Sequence, residues 1–237
     1  MRYKTNFYED PWNYLSGDFM AEELFDEDEI KRDIIRVMGT LYQKGLVSAM
    51  GGNVSARLPG KNEFWITPSG VFKGDLHLDD LVKIDLKGNI VEGFMKPSIE
   101  WPMHAAVYKL RPDVNAVIHA HNPITTGLAM GGIPPQMITV EAVVFLRKVP
   151  VVDFVFPGTD ELAEHVAKAV KETAARALVL QNHGVLGLGY NLVEAESVVE
   201  VLEEVAWMTL ACIIAGKKEL PLIPEKDIEL AKKIYGF

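Results

Sequence analysis

The sequence predicts an α/β fold: a single three-layer α/β/α domain around a central sheet that is mixed and mostly antiparallel. Two observations carry this. Segments with the helical period alternate with short apolar strands from residue 28 to the C-terminus. Several neighbouring strands are joined by turns of a few residues, which suit antiparallel pairs, whereas parallel pairs need a long crossover. The 237 residues carry no internal repeat, linker or low-complexity stretch. Residues 28–237 are therefore expected to form one domain, and residues 1–27 an N-terminal extension.

The extension is aromatic and acidic, and Pro11 and Gly17 interrupt any long period. It is expected either to pack as a strap through Phe7, Trp12 and Tyr14 or to be partly disordered. Asp26 or Asp28 caps a first helix running to about residue 44, with Ile30, Ile34, Val37, Met38 and Leu41 on its apolar face and Gly45 at its end. Strands are expected at 54–57, 63–67, 81–85 and 90–92, the last two flanking a Lys87-Gly88-Asn89 turn. Residues 100–110 read as a helix ended by Arg111-Pro112. The run Ala116-Val117-Ile118-His119-Ala120-His121 is the next strand. A stretch rich in Pro and Gly follows, then an apolar segment at 140–146 and a strand near 149–154. Thr159 caps a helix to about residue 175, with Asp160 and Glu161 in its first turn. Strands at 177–181 and 185–189 flank the turn Asn182-His183-Gly184, a long helix spans 192–215, and a short one follows Pro224.

Composition narrows the function classes. Charged residues make up 24% and hydrophobic residues 49%, the balance of a globular enzyme. The net charge of −9, without a basic run, argues against a nucleic-acid groove. A small anionic substrate stays open, because a few local donors hold a phosphate whatever the net charge. The single cysteine, Cys212, allows no internal disulfide and is expected to be a small buried hydrophobe. No apolar window reaches the roughly 18 residues of a membrane span, and the first residues lack the apolar core of a signal peptide. The cytoplasm is the expected compartment.

His119 and His121 are the most informative pair. Side chains at i and i+2 of a strand share a face, so two imidazoles lie side by side there. His183, at a strand-to-turn junction, is either a turn residue or a third imidazole. Three imidazoles with an open position make a catalytic zinc site, whereas a structural site is closed and richer in cysteine. Glu100, at a helix start, is either a first-turn acid serving the helix dipole or the carboxylate beside the metal. His104 falls one turn later on the same face and is assigned a supporting or core position. His77 is expected to be solvated. Gly51-Gly52-Asn53-Val54-Ser55 and Thr67-Pro68-Ser69-Gly70 are turns whose N–H groups and hydroxyls suit phosphate oxygens, and neither is a P-loop.

Five segments in this order resemble the class II (zinc-dependent) aldolase family, which includes L-fuculose-1-phosphate aldolase, L-ribulose-5-phosphate 4-epimerase and the adducin head domain. They are Gly52-Asn53-Val54-Ser55, Thr67-Pro68-Ser69-Gly70, Pro97-Ser98-Ile99-Glu100, His119-Ala120-His121 and Gln181-Asn182-His183-Gly184. Phe156-Pro157-Gly158-Thr159 with Glu161-Leu162 also looks like the family. The resemblance runs from about Ile30 to the C-terminus. It implies that His119, His121 and His183 bind one zinc ion and that Glu100 is the resting ligand and general base. It implies that Asn53, Ser69, Gly70 and Ser98 hold a substrate phosphate. The implied reaction is cleavage of a ketose phosphate to dihydroxyacetone phosphate and an aldehyde, with zinc stabilising an enediolate. The implied assembly is a homotetramer with active sites between subunits.

Two departures from the aldolase pattern stand out. Ile99 replaces the second serine before the glutamate, and the stretch Met137-Ile138-Thr139-Val140-Glu141 lacks the family's proton-donating tyrosine. Glu141 is the candidate for that donor, and Tyr235 resembles a C-terminal tyrosine that shapes the site. The alternatives on the same scaffold are a pentulose-phosphate 4-epimerase, a methylthioribulose-phosphate-type dehydratase and a non-catalytic adducin-head-like domain. Epimerases of the family tend to carry Asp at the position of Glu100, and non-catalytic relatives tend to lose the metal ligands.

Overall fold

The structure, a computed structural model, describes residues 26–173 and 175–236. The expected strap residues Phe7, Trp12 and Tyr14 lie outside the described residues. Six helices and eight strands alternate along the described chain. α1 (Glu27–Gln43) starts at Asp26, whose carboxylate accepts from the Asp28 N–H, and its apolar stripe is buried as its period requires. β1 (Asn53–Ala56), β2 (Glu63–Ile66), β3 (Val82–Asp85) and β4 (Ile90–Glu92) follow. α2 (Trp101–Leu110) leads to β5 (Ala116–Ala120), α3 (Pro123–Met130) and a π-type turn at Ala142–Leu146. β6 (Val151–Val152), α4 (Asp160–Thr173), β7 (Ala177–Leu180), β8 (Gly184–Gly189), α5 (Leu192–Ile214) and α6 (Glu225–Tyr235) complete the order.

The strands form one sheet in the order β4-β3-β2-β1-β5-β8-β7-β6. Every pairing is antiparallel except β6 with β7, so the sheet is mixed and mostly antiparallel, as expected. Two apolar clusters fill its two faces. One joins α1 and α5 to Val54, Ile118 and Val185; the other joins α2 and α4 to Val117, Leu178 and Leu186. The alternation of strand side chains decides which residues meet which helix. Val54 and Ile118 face α1 and α5, so Asn53, Ser55 and His119 face α2.

Three expectations are corrected. The stretch after the histidine strand contains the helix α3. Pro123 occupies the first turn, where its missing N–H costs nothing. The Asn122 side chain does not cap it; Glu203 of α5 does, accepting from the Ile124 and Thr125 N–H groups at 2.9 and 3.0 Å. The strand expected near 149–154 is only the two-residue edge β6, because Pro150 and Pro157 bracket it and its outer edge has no neighbour. Cys212 is only half-buried on α5.

Candidate metal centre

The two histidines of the central strand are presented differently. His119 is the penultimate residue of β5, directly opposite Asn53 of β1, and has no solvent exposure. His121 lies just past the strand, and its N–H bonds to the Leu46 carbonyl at 2.7 Å. Their Nε2 atoms are nonetheless 3.1 Å apart. His183 comes from the turn between β7 and β8, where Asn182 takes a left-handed φ of 56°. The backbone comes very close around these rings. A Cβ on Gly184 would strike the Ala120 carbonyl, and one on Gly51 would lie 2.7 Å from His121 Cε1, so both positions need glycine.

The ligand-competent nitrogens of His119, His121 and His183 all lie within 4.8 Å of one another. Glu100, the residue before α2, completes the group. Its Oε2 is 3.4 Å from His119 Nε2 and its Oε1 is 3.2 Å from His183 Nε2. Four ligands about 2.0–2.2 Å from one tetrahedral zinc stand roughly 3.3–3.5 Å apart, close to these separations.

Protonation fits the same reading. His119 Nδ1 donates to the Val185 carbonyl at 3.0 Å, so in the neutral ring Nε2 carries the lone pair. Burial pushes the His119 pKa down to about 3 against the pull of Glu100, and burial also lowers that of His121. Both rings are neutral at pH 7. For Glu100, burial alone would raise the pKa; the His119 and His183 imidazoles and the Asn53 amide outweigh it and hold the carboxyl well below the usual range. The neutral His119 and His121 rings stand beside the ionised carboxylate, and among the described residues the buried Glu100 Oε1 and His183 Nδ1 find no hydrogen-bond partner. An acceptor-rich, electron-pair-lined cavity of this kind is what a divalent cation satisfies.

The hydroxyl-bearing turns lie beside Glu100. Ser69 N–H bonds to Lys96 O at 2.9 Å and Ser98 N–H to Thr67 O at 3.2 Å, which ties the 67–70 turn to the 96–100 segment. Ser98 Oγ accepts from the Glu100 N–H, leaving its own O–H to donate. Gly70, with φ of 71°, lets the turn reverse.

Comparison with known proteins decides the family. The sequence profile of the Class II Aldolase and Adducin N-terminal domain matches residues 32–210. This chain belongs to the class II aldolase and adducin family. L-fuculose phosphate aldolase of Methanocaldococcus jannaschii is 37% identical over 187 residues, covering 79% of this chain and 99% of that protein. A 5-methylthioribulose-1-phosphate/5-deoxyribulose-1-phosphate aldolase of Escherichia coli is 32% identical, covering 88% and 97%. Among solved structures, an L-fuculose 1-phosphate aldolase superposes with a TM-score of 0.79 at 34% identity, covering 88% and 97%.

Within this class II aldolase fold, the other expected residues fall in distinct places. Asn53 sits beneath Glu100, and its Nδ2 donates to Oε2 at 2.8 Å. Ile99 is 55% exposed next to Glu100 and packs against Gly158, so an apolar side chain stands beside the carboxylate. Glu141 is exposed at the start of the π-type turn, and no hydrogen bond or ion pair in the chain joins it to the histidines. Tyr235 ends α6, which packs on that same turn. His77 is exposed, as expected. Sequence reasoning missed Lys73. Its side chain is buried under the 67–70 turn, where Nζ donates to the Pro68 carbonyl. Burial brings its pKa down to about 8, against the opposing pull of Glu100. A lysine three residues past Gly70 reads as a solvated charge in any sequence, and nothing in the local pattern marks it as buried.

Proposed function

We propose that the protein is a metal-dependent aldolase. Its substrate is a ketose phosphate of the fuculose 1-phosphate kind, and its products are dihydroxyacetone phosphate and an aldehyde. The observation that carries the proposal is the convergence of three imidazoles, one carboxylate and a hydroxyl-bearing turn around one point. The likeness to L-fuculose phosphate aldolases over nearly their whole length supports it.

In this reading His119, His121 and His183 hold one divalent metal, with Glu100 as the fourth ligand at rest. Three nitrogens and an oxygen suit zinc. A divalent metal at this position supplies a Lewis acid for the carbonyl and neighbouring hydroxyl of a ketose. The chain does the rest. Ser69, Gly70 and Ser98, with Asn53 below them, receive the phosphate and fix the sugar in register with Glu100. In the cleavage direction the bond between C3 and C4 breaks and its electron pair stays on C3. Glu100, displaced toward that carbon and first taking up a proton from solvent, delivers the proton that completes dihydroxyacetone phosphate; in condensation it removes the same proton. The C4 hydroxyl gives up its proton as its oxygen becomes the aldehyde carbonyl, and Glu141 or Tyr235 of a neighbouring subunit is the group proposed to accept it and pass it to solvent. That assignment requires the tetramer with sites between subunits, in which an exposed Glu141 and the end of α6 reach a neighbour's cleft. A cytoplasmic, phosphorylated-sugar metabolism is the setting that fits. No described helix is long and apolar enough to cross a membrane.

The test is a product assay on metal-stripped protein with a panel of ketose 1-phosphates, L-fuculose 1-phosphate and 5-deoxyribulose 1-phosphate among them. Dihydroxyacetone phosphate should appear only after zinc is restored. Inversion at C4, or dehydration without cleavage, overturns the proposal in favour of the epimerase or dehydratase. Glu100→Gln should retain zinc and lose roughly 10²–10⁴ in turnover.

A further inference from the structure

From Glu100, at the start of α2, a row of polar groups continues inward, of which the proposed chemistry uses Glu100 and Asn53 but not His104, Ser55 or Tyr108. Glu100, His104 and Tyr108 recur every four residues along α2. Asn53 and Ser55 recur every two residues along β1 and point at that helix. Four helical residues advance about 6 Å and two strand residues about 6.7 Å, so the two rows interleave. The contacts follow this order. Asn53 Nδ2 is 2.8 Å from Glu100 Oε2, and Asn53 Oδ1 is 2.5 Å from His104 Nε2. His104 Nδ1 is 2.7 Å from Ser55 Oγ, which is 2.7 Å from the Tyr108 hydroxyl. Ser55 and His104 have no exposure, and Asn53 and Tyr108 have 2% each.

The direction of every bond in this row follows from one end. An ionised carboxylate only accepts, so Asn53 turns its NH₂ to Glu100 and its oxygen to His104. His104 must then carry its proton on Nε2, which leaves Nδ1 to accept from Ser55. Ser55 in turn accepts from the Tyr108 O–H. A flipped Asn53 would set its carbonyl against the Glu100 carboxylate and its NH₂ against the His104 N–H.

We propose that His104, fixed by Ser55 and Tyr108, is a positioning residue that locks the Asn53 amide in the single orientation that donates to Glu100. It acts on the carboxylate's placement and touches neither substrate nor metal. The inference rests on the reading of Glu100 as the proton-transferring group, and its first test does not depend on that reading. Nitrogen-15 NMR of the metal-free protein without substrate should show the His104 ring in the Nε2–H tautomer. The Nδ1–H tautomer reverses the row and overturns the proposal.

Kinetics supply the second test, on zinc-loaded protein cleaving L-fuculose 1-phosphate or whichever panel substrate is turned over. His104→Leu should lower kcat by about 10- to 100-fold, with KM within about twofold and zinc stoichiometry unchanged. Asn53→Ala combined with His104→Leu should be no slower than the slower single variant, since both break one line. His104→Gln, which keeps a donor toward Asn53, should recover part of the loss. Unchanged kcat in His104→Leu, multiplicative losses in the double variant, or zinc lost in step with activity overturns the proposal. Should His104→Leu fail to fold, Ser55→Ala removes the hydroxyl that donates to His104 Nδ1, together with its bond to Tyr108, and leaves the ring in place; a mixed tautomer with reduced kcat supports the row, and a wild-type tautomer with wild-type kcat overturns it. If no panel substrate is cleaved, or Glu100→Gln turns over normally, the aldolase reading fails while the tautomer is still decided.

Discussion

His119 Nδ1 donates to the backbone oxygen of Val185 across the β5–β8 ladder, at 3.0 Å. One hydrogen bond thereby fixes both the ring plane and the tautomer of a residue with no solvent exposure. The acceptor belongs to the sheet itself, so turning the ring breaks a hydrogen bond in a dry site. His121, outside the strand, is held instead by the crowding of Gly51 and Gly184.

This difference predicts unequal variants. His119→Ala should leave less than a tenth of the wild-type zinc per chain and lower stability by about 1–3 kcal/mol, because the Val185 carbonyl loses its partner in a dry site. His121→Ala should weaken zinc by a similar factor with a smaller change in melting temperature. Metal analysis after dialysis and thermal unfolding of the metal-free forms decide both; equal stability losses would contradict the assignment.

Acid should unfold the metal-free protein in a definite window. Burial depresses the pKa of His104 to about 4 and that of His119 to about 3, and lowers that of His121. As pH falls below about 6.5, the unfolded chain binds protons at these rings and the folded chain does not. Stability is therefore fully present above about 6.5 and is lost progressively as pH falls toward 4 and then 3. Denaturant titrations from pH 7.5 to 4 should give a slope corresponding to two or three protons taken up on unfolding. His104→Gln should remove about one of them. A flat profile across this window would mean that the rings are charged in the folded state.

The three-layer arrangement and the His119–His121 pair were legible in local patterns, whereas His183 and Glu100 joined that pair through the resemblance to the aldolase family. Period-two alternation put His119 inside the sheet, and the Pro-Ser-Ile-Glu and Asn-His-Gly segments marked chain reversals. What was not legible depends on partners far along the chain. The α3 helix has no local N-cap: the Asn122 side chain turns to the Val199 carbonyl at 2.8 Å, and the capping carboxylate arrives from Glu203. The Asn53–His104 contact spans 51 positions and required knowing that β1 lies under α2. Ser55 and Tyr108 are unremarkable in sequence and gain their meaning only from the interleaved rows.

Lys73 should behave as a buried cation held at a cost to stability. Its pKa is brought down to about 8, so below that pH both folded and unfolded chains carry the charge and the cost is fully present. Between about 8 and 10.5 the folded lysine is neutral while the unfolded one stays protonated, so stability rises with pH across that range. Lys73→Met, similar in length and uncharged, should stabilise the metal-free protein at pH 7 by on the order of 1–3 kcal/mol. The gain should shrink as pH approaches 10. If the ammonium instead serves as a charge for the phosphate, the same variant should raise KM severalfold with kcat little changed. Unfolding and kinetics on one variant therefore separate a structural cost from a binding role.

Glu203 connects the long helix α5 to the candidate metal centre. Its carboxylate accepts from the Ile124 and Thr125 N–H groups and from Thr125 Oγ1 at 2.8 Å, so it caps α3 from outside that helix. A carboxylate at a helix N-terminus meets both the unpaired N–H groups and the positive end of the dipole. α3 begins two residues after His121, so the cap also fixes where that ring's backbone goes. Glu203→Ala should cost about 1–3 kcal/mol, as expected for two amides left unpaired in a mostly buried position, while the Thr125 hydroxyl keeps the Leu202 carbonyl as an acceptor. Glu203→Gln keeps one acceptor oxygen and should cost about half as much. Amide exchange at Ile124 and Thr125 should accelerate in both variants, while exchange in α2 should not. Because His121 hangs from this end of α3, zinc should leave Glu203→Ala severalfold faster than wild type. Unaltered zinc release with accelerated amide exchange would mean that β5 and the crowding at Gly51 and Gly184 hold His121 without help from the helix.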